Sequence, residues 1–234
     1  MPAVGVMPRK RRLIRNRAVA LFGGTFDPVH YGHLRAAAEI SERLKVSNFR
    51  LVPAGQPPHR DGTWAEPFHR LAMLELAVAP YADLHVDERE VLRDGPSYMA
   101  DTLASVRREV SAVPLLLCVG QDAANQLHRW ERWQELLELA HLVVMTRPRS
   151  EPSYAEELTA ALEGRHVRRA RDLMDSPAGL VCHVEVTQLA ISSTDIRYQL
   201  GRGWDPRFLL PATVLSYIRK HGLYGADETP VGNE

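Results

Sequence analysis

Five short apolar runs without polar alternation, set between longer segments whose apolar residues recur three and four apart, most constrain how this 234-residue chain can fold. The runs are 18–22 (AVALF), 48–53 (NFRLVP), 114–120 (PLLLCVG), 141–147 (HLVVMTR) and 180–186 (LVCHVEV). A strand covered on one face alternates, whereas one covered on both reads as a continuous apolar run. The segments 32–45, 67–79, 97–110, 122–139 and 211–221 carry helical spacing. Pro67 and Pro211 stand near two of the helix starts, where proline is tolerated, and Ser97 is a candidate cap. Segment 82–90 is a candidate for a further, more exposed strand. Strand and helix in turn predict right-handed βαβ units: an α/β fold with a doubly wound, mostly parallel sheet and a small C-terminal helical portion. In such sheets ligands bind beyond the carboxyl ends of the strands, where strand order reverses. The stretches that follow predicted strands, 23–33, 54–60, 120–122 and 146–149, are therefore the ones to read for chemistry.

Composition narrows the partners. Lys plus Arg equals Asp plus Glu, 29 of each, so no whole-chain field favours nucleic acid or an anionic membrane, and any anion binding must be local. The longest apolar runs, such as 113–120, fall far short of the roughly 20 residues of a membrane helix. Cys118 and Cys182 sit singly in apolar runs, which suits reduced, buried thiols in a cytoplasmic protein. Residues 1–17 hold six basic side chains from Arg9 to Arg17 and lack the apolar stretch of a secretory signal, so they read as a solvated extension rather than a nucleic-acid contact. With a polar tail at 225–234, this leaves one domain over 18–224.

The stretch GGTFDPVHYGH, 23–33, follows the first predicted strand. Gly23 and Gly24 allow a tight turn and close approach of an anion to main-chain N–H groups, and Thr25 adds a hydroxyl. His30 and His33 fall at the start of the next helix, where unpaired N–H groups favour phosphate. A metal centre would need more ligands than this histidine pair, and only Asp27 is at hand. ISSTDIR, 191–197, read alone, is a helix start with a serine cap. Trp130 and Trp133 lie three apart, so each is either core or an exposed stacking ring; a site role is expected for Trp130 and a core role for Trp133. The other histidines show no convergent spacing and read as surface or satisfied core residues.

GGTFDPVHYGH resembles the T/SxGH signature of nucleotidyltransferases, with His30, Tyr31, Gly32 and His33 standing as HxGH, and ISSTDIR resembles the superfamily's second signature. Together with PAGQPPHR (53–60), GPSYMADTL (95–103), VGQD (119–122), RWERWQELL (129–137) and TRPR (146–149), the set is similar to bacterial nicotinate-nucleotide adenylyltransferases over about residues 18–224. The resemblance implies a Rossmann-like fold and adenylyl transfer from ATP to nicotinate mononucleotide. It makes His30 and His33 catalytic, and assigns ATP and its phosphates to Gly23, Gly24, Thr25, Phe26, Gly32, Ile191, Ser192, Ser193 and Arg197. The acceptor nucleotide falls to His59, Arg60, Ser97, Tyr98, Met99, Gly120, Asp122, Trp130 and Arg147. For Asp122 a helix cap is the bland alternative, and for Arg147 a solvated strand-end charge. Mg²⁺ is expected on the ATP phosphates, with no protein metal site. The expected partners are ATP and nicotinate mononucleotide, not nucleic acid or membrane. Met99 departs from the threonine usual after Ser-Tyr, which is harmless if only the main-chain amide is used. Other acceptors of the superfamily (pantetheine phosphate, nicotinamide mononucleotide, glycerol phosphate) and a non-catalytic nucleotide-binding protein are the alternatives. Two intact phosphate motifs argue against the last.

Overall fold

A computed structural model describes residues 16–58, 63–146 and 152–226. The expected terminal extensions lie almost wholly outside these residues. Seven parallel strands form one sheet: β1 (Asn16–Gly24), β2 (Val46–Pro53), β3 (Leu84–Val86), β4 (Leu115–Gly120), β5 (His141–Thr146), β6 (His166–Val167) and β7 (Val181–Glu185), in the order β3-β2-β1-β4-β5-β7-β6. The chain builds outward from β1 to β3, then crosses back to lay β4 on the other side of β1. Strand order thus reverses between β1 and β4. Leu21, paired with Arg50 on one side and Leu117 on the other, marks this centre.

The unbroken apolar runs have the expected cause. In β1, Ala18 and Ala20 join the core on one face of the sheet, while Val19 and Leu21 join the core on the other. The first core is roofed by α1 (Tyr31–Leu44), α2 (Pro67–Val78), α7 (Ser193–Gly201) and α8 (Ala212–Lys220). The second is roofed by α3 (Met99–Val110), α4 (Gln121–Asn125), α5 (Trp133–Leu139) and α6 (Glu156–Leu162). Among the described residues no helix is long and apolar enough to cross a membrane. Cys118 and Cys182 are unpaired and buried, and burial raises the pKa of both thiols.

Two expectations are corrected. The helix read over 122–139 is broken into α4, a 3₁₀ turn at Leu127–Arg129 and α5, with Trp130 extended (φ −76°, ψ 144°) and Arg132 left-handed (φ 51°). Apolar spacing persists across the break because Leu127, Leu136 and Leu137 all pack into the same core, so the period alone does not reveal it. Of the strand read over 82–90 only 84–86 pairs into the sheet. The Asp87 carboxylate then accepts from the Arg89 N–H and starts a 3₁₀ turn, as a short cap favours. The helix α6 and the short β6 were not anticipated, whereas α7 begins where ISSTDIR was read as a helix start.

Candidate active site

A cavity of about 620 Å³ opens at the carboxyl ends of β1 and β4, where strand order reverses. Its floor includes Leu117 and Val119 of β4. Of the residues expected on the ATP side, Gly23, Gly24, Thr25, Phe26, His30, His33, Ile191, Ser192, Ser193 and Arg197 line it. Residues 166 positions apart in sequence, Asp27 and Ser193, thus share one wall, and the Ser193 hydroxyl donates to the Pro28 carbonyl at 2.9 Å.

The two histidines are organised by the helix they open. His30 is the N-cap of α1, and its Nδ1 accepts from the Gly32 N–H at 3.1 Å, while Nδ1 of His33 accepts from the His30 N–H at 3.4 Å. This is a reciprocal capping box made of imidazoles. A nitrogen that accepts from an N–H carries no proton, so both rings keep their proton on Nε2. The rings stack at 3.8 Å between centroids, and Phe26 meets His33 edge-on at 5.0 Å. Burial lowers the His30 pKa to about 4, and burial with the neighbouring His30 holds His33 well below its usual range. Both rings are therefore neutral Nε2–H donors at pH 7. Gly32 does not line the cavity. A Cβ there would stand 2.9 Å from the His30 ring, so glycine lets that ring fold back onto the helix start.

Ser192 caps α7 by accepting from the Asp195 N–H at 3.0 Å, so the bland reading of ISSTDIR holds, and the same serine also faces the cavity. Arg197, one turn on, is the one guanidinium among the described lining residues. Its Nη1 donates to the Asp27 carbonyl at 2.6 Å and its cation lies 5.6 Å from the Trp64 ring centroid, while its Nε is buried without a partner.

On the opposite wall stand Ser97, Tyr98, Met99 and Trp130. Met99 begins α3, whose cap Tyr98 supplies no side-chain bond, leaving first-turn N–H groups for a ligand. The Met99 methyl lies against Gly23, so the departure from threonine does not remove a main-chain donor. The Ser97 hydroxyl accepts from the N–H groups of Gly55 and Gln56 at 2.8 and 3.1 Å, and so clasps the loop after β2 while lining the cavity. Trp130 is half-buried against the core and shows its remaining surface to the cavity; Trp133 packs on the core alone. Gly120 caps α4, and Asp122 lies exposed on its first turn; neither lines the cavity. His59, Arg60 and Arg147 lie outside the described residues.

Sequence reasoning missed Glu90, a buried acid on the cavity wall. Burial raises its pKa, and Thr102 donates to it at 2.6 Å. It also passed over Arg70 and Tyr224, which bond to the wall from behind. Among the described residues no three His, Cys, Asp or Glu side chains converge as a metal site. The buried Asp27 carboxylate is already engaged by the N–H groups of Trp64 and Ala65 and by the Tyr224 hydroxyl.

The cytidylyltransferase-like family model matches residues 21–199. A probable nicotinate-nucleotide adenylyltransferase of Methylococcus capsulatus is 49% identical over 208 residues, covering 88% of this chain and 99% of the relative. One of Pseudomonas paraeruginosa is 46% identical, covering 90% and 98%. Among solved structures, Plasmodium falciparum nicotinic acid mononucleotide adenylyltransferase complexed with NaAD superposes with a TM-score of 0.69 over 92% of this chain and all of that one. At 15% identity that likeness is one of fold. With its two phosphate motifs on one cavity and relatives that match it almost end to end, the chain belongs to the nicotinate-nucleotide adenylyltransferases of the cytidylyltransferase-like family.

Proposed function

We infer that the protein transfers the adenylyl group of ATP to nicotinate mononucleotide, giving nicotinate adenine dinucleotide and pyrophosphate, a step of NAD biosynthesis. The observation that carries this is one cavity with anion donors on both walls. Two neutral Nε2–H groups and the Arg197 guanidinium stand on one side, and a helix N-terminus beside a half-exposed indole on the other.

An oxygen of the acceptor phosphate attacks the α-phosphorus of ATP. The new P–O bond forms as the bond to the bridging oxygen breaks, and pyrophosphate leaves with that electron pair. The acceptor phosphate, with a second pKa of about 6, is already anionic, so no general base is needed. Catalysis rests on placing the reactants in line and stabilising the charge that moves to the leaving group. His30 and His33 donate to the α-phosphate and bridging oxygen. Being neutral, they add directed dipoles that need no reorganisation during the reaction. Ser192, Ser193 and Arg197 hold the departing pyrophosphate. ATP comes as its Mg²⁺ complex with the ion on phosphate oxygens, in keeping with an Asp27 carboxylate already engaged by protein donors. Trp130 stacks on the pyridine ring and the first-turn N–H groups of α3 receive its carboxylate. Two unpaired, buried thiols suit a cytoplasmic setting.

The test is pyrophosphate release from ATP and Mg²⁺ with a panel of acceptors. Nicotinate mononucleotide turns over fastest. Nicotinamide mononucleotide loses at least about tenfold in kcat/KM, because donors aimed at a carboxylate are left poorly paired by the amide. No release with any acceptor would leave a nucleotide-binding protein, and equal kcat/KM for acid and amide would remove the carboxylate-directed site.

A further inference from the structure

Arg70 lies on the apolar stripe of α2, in register with Met73, Leu74 and Ala77, and is completely buried. A charge in such a place is strongly unfavourable unless its N–H groups are used and a counter-charge is near. Its Nη1 donates to the Thr25 carbonyl at 2.8 Å, its Nη2 to the Gly55 carbonyl at 2.8 Å and its Nε to the Ala65 carbonyl at 3.1 Å. The Asp27 carboxylate, 2% exposed, is the counter-charge. One of its oxygens accepts from the Trp64 N–H at 2.8 Å. The other accepts from the Ala65 N–H at 3.2 Å and the Tyr224 hydroxyl at 2.7 Å. Arg70 does not line the cavity, so it acts on no ligand directly.

What it joins are the two loops that do meet the ligands. Thr25 follows β1 and Gly55 follows the neighbouring β2, and both loops contribute residues to the cavity wall. A rigid, planar guanidinium holds its two carbonyl partners at one spacing. It also draws both oxygens, which would repel phosphate, toward a group outside the cavity. The loop after β2 is held from the other side as well. Ser97 takes its N–H groups, and a Cβ on Gly55 would stand only 2.2 Å from the Glu90 carbonyl. The Gly55 loop has no slack in which to make up for a lost carbonyl anchor.

We propose that Arg70, with Asp27 and Tyr224, forms a buried positioning node that sets the distance between the nucleotide loop and the acceptor loop, and with it the approach of the attacking oxygen. This rests on the reading given above of which substrates meet in the cavity. The node affects the alignment of two bound substrates more than the binding of either.

The test compares wild type with R70K and Y224F in steady-state kinetics, with circular dichroism to verify folding. Lysine keeps the charge but cannot span two carbonyls. R70K is expected to lose about 30- to 100-fold in kcat while both KM values change less than about threefold, since misplacement of about 1 Å costs this much. Y224F, which removes one hydrogen bond and keeps the ring, loses about three- to tenfold in kcat with the same unchanged KM values. A folded R70K with wild-type kcat, or one whose loss lies in KM, overturns the node. If R70K fails to fold, Y224F decides, and an unchanged kcat overturns it. No turnover by the wild type would overturn the substrate reading and the node with it, whereas wild-type turnover retained in both variants overturns the node alone.

Discussion

Each imidazole in the HxGH segment has one nitrogen occupied by the backbone of the helix start, which leaves a single direction in which it can donate. Replacing His33 with alanine removes a donor aimed at transition-state charge, and is expected to lower kcat about 10²- to 10³-fold with ATP affinity nearly unchanged. Turnover measured beside calorimetric ATP binding checks this, and near-normal kcat would return His33 to a purely capping role. The pairing of histidines around a glycine was legible in the sequence, because few other roles ask for that spacing. Their tautomers were not, since these depend on the extended φ and ψ of His30 and on the ring folding back over Gly32. Phe26 makes the same point. It sits at φ 50°, in the left-handed region that bulky residues avoid, and is held there by burial against Phe22 and His33.

At the level of elements, the break between α4 and α5 decides what the indole of Trp130 can reach. In a continuous helix Trp130 and Trp133 would share a face. The extended residue 130 and left-handed residue 132 separate them, one toward the cavity and one onto the core. Trp130→Ala is therefore expected to raise KM for nicotinate mononucleotide about 10-fold or more, as loss of a base-stacking ring does, with KM for ATP little changed. A KM that stays put would move Trp130 into the core beside Trp133. The sequence could not display this break because apolar spacing reports which side faces the core, and that side is the same before and after the turn. Arg70 was hidden for a related reason. A lone arginine on an apolar stripe resembles a charge at the stripe's edge until its three carbonyl partners, from segments far apart in the chain, are known.

For the molecule as a whole, the buried histidines tie stability to pH in a set direction. Burial brings the folded pKa of His30 to about 4 from an ordinary 6.5, and His33, His141 and His183 are shifted the same way. Above pH 6.5 all are neutral whether folded or not; below it the unfolded chain takes up protons that the folded chain refuses. Stability is thus complete above pH 6.5 and is lost as pH falls toward 4. Between pH 6.5 and 5, ahead of most carboxylate titration, Tm should fall by several degrees, at about 2–4 °C per kcal/mol for a chain of this size. His30→Asn, which can still cap α1, should show a smaller fall. Calorimetry at both pH values checks this, and an identical fall in both proteins would exclude His30 as a contributor. The parallel, two-sided sheet was the most legible feature of all, since runs such as 114–120 leave no polar face to expose. The edge piece β6, two residues long, carries too few side chains to show a pattern, and β3 was read only with bounds too wide.

The hydrogen bond from Tyr224 to Asp27 spans 197 positions of the chain. During synthesis the loop that carries the two histidines emerges well before the residue that completes its support. Synthesis runs at about 5–20 residues per second, so for ten seconds or more Asp27 waits for the residue that completes its shell. The phosphate loop is therefore braced by a phenol from the far end of the fold, so a change in the segment after α8 reaches the site without touching the cavity.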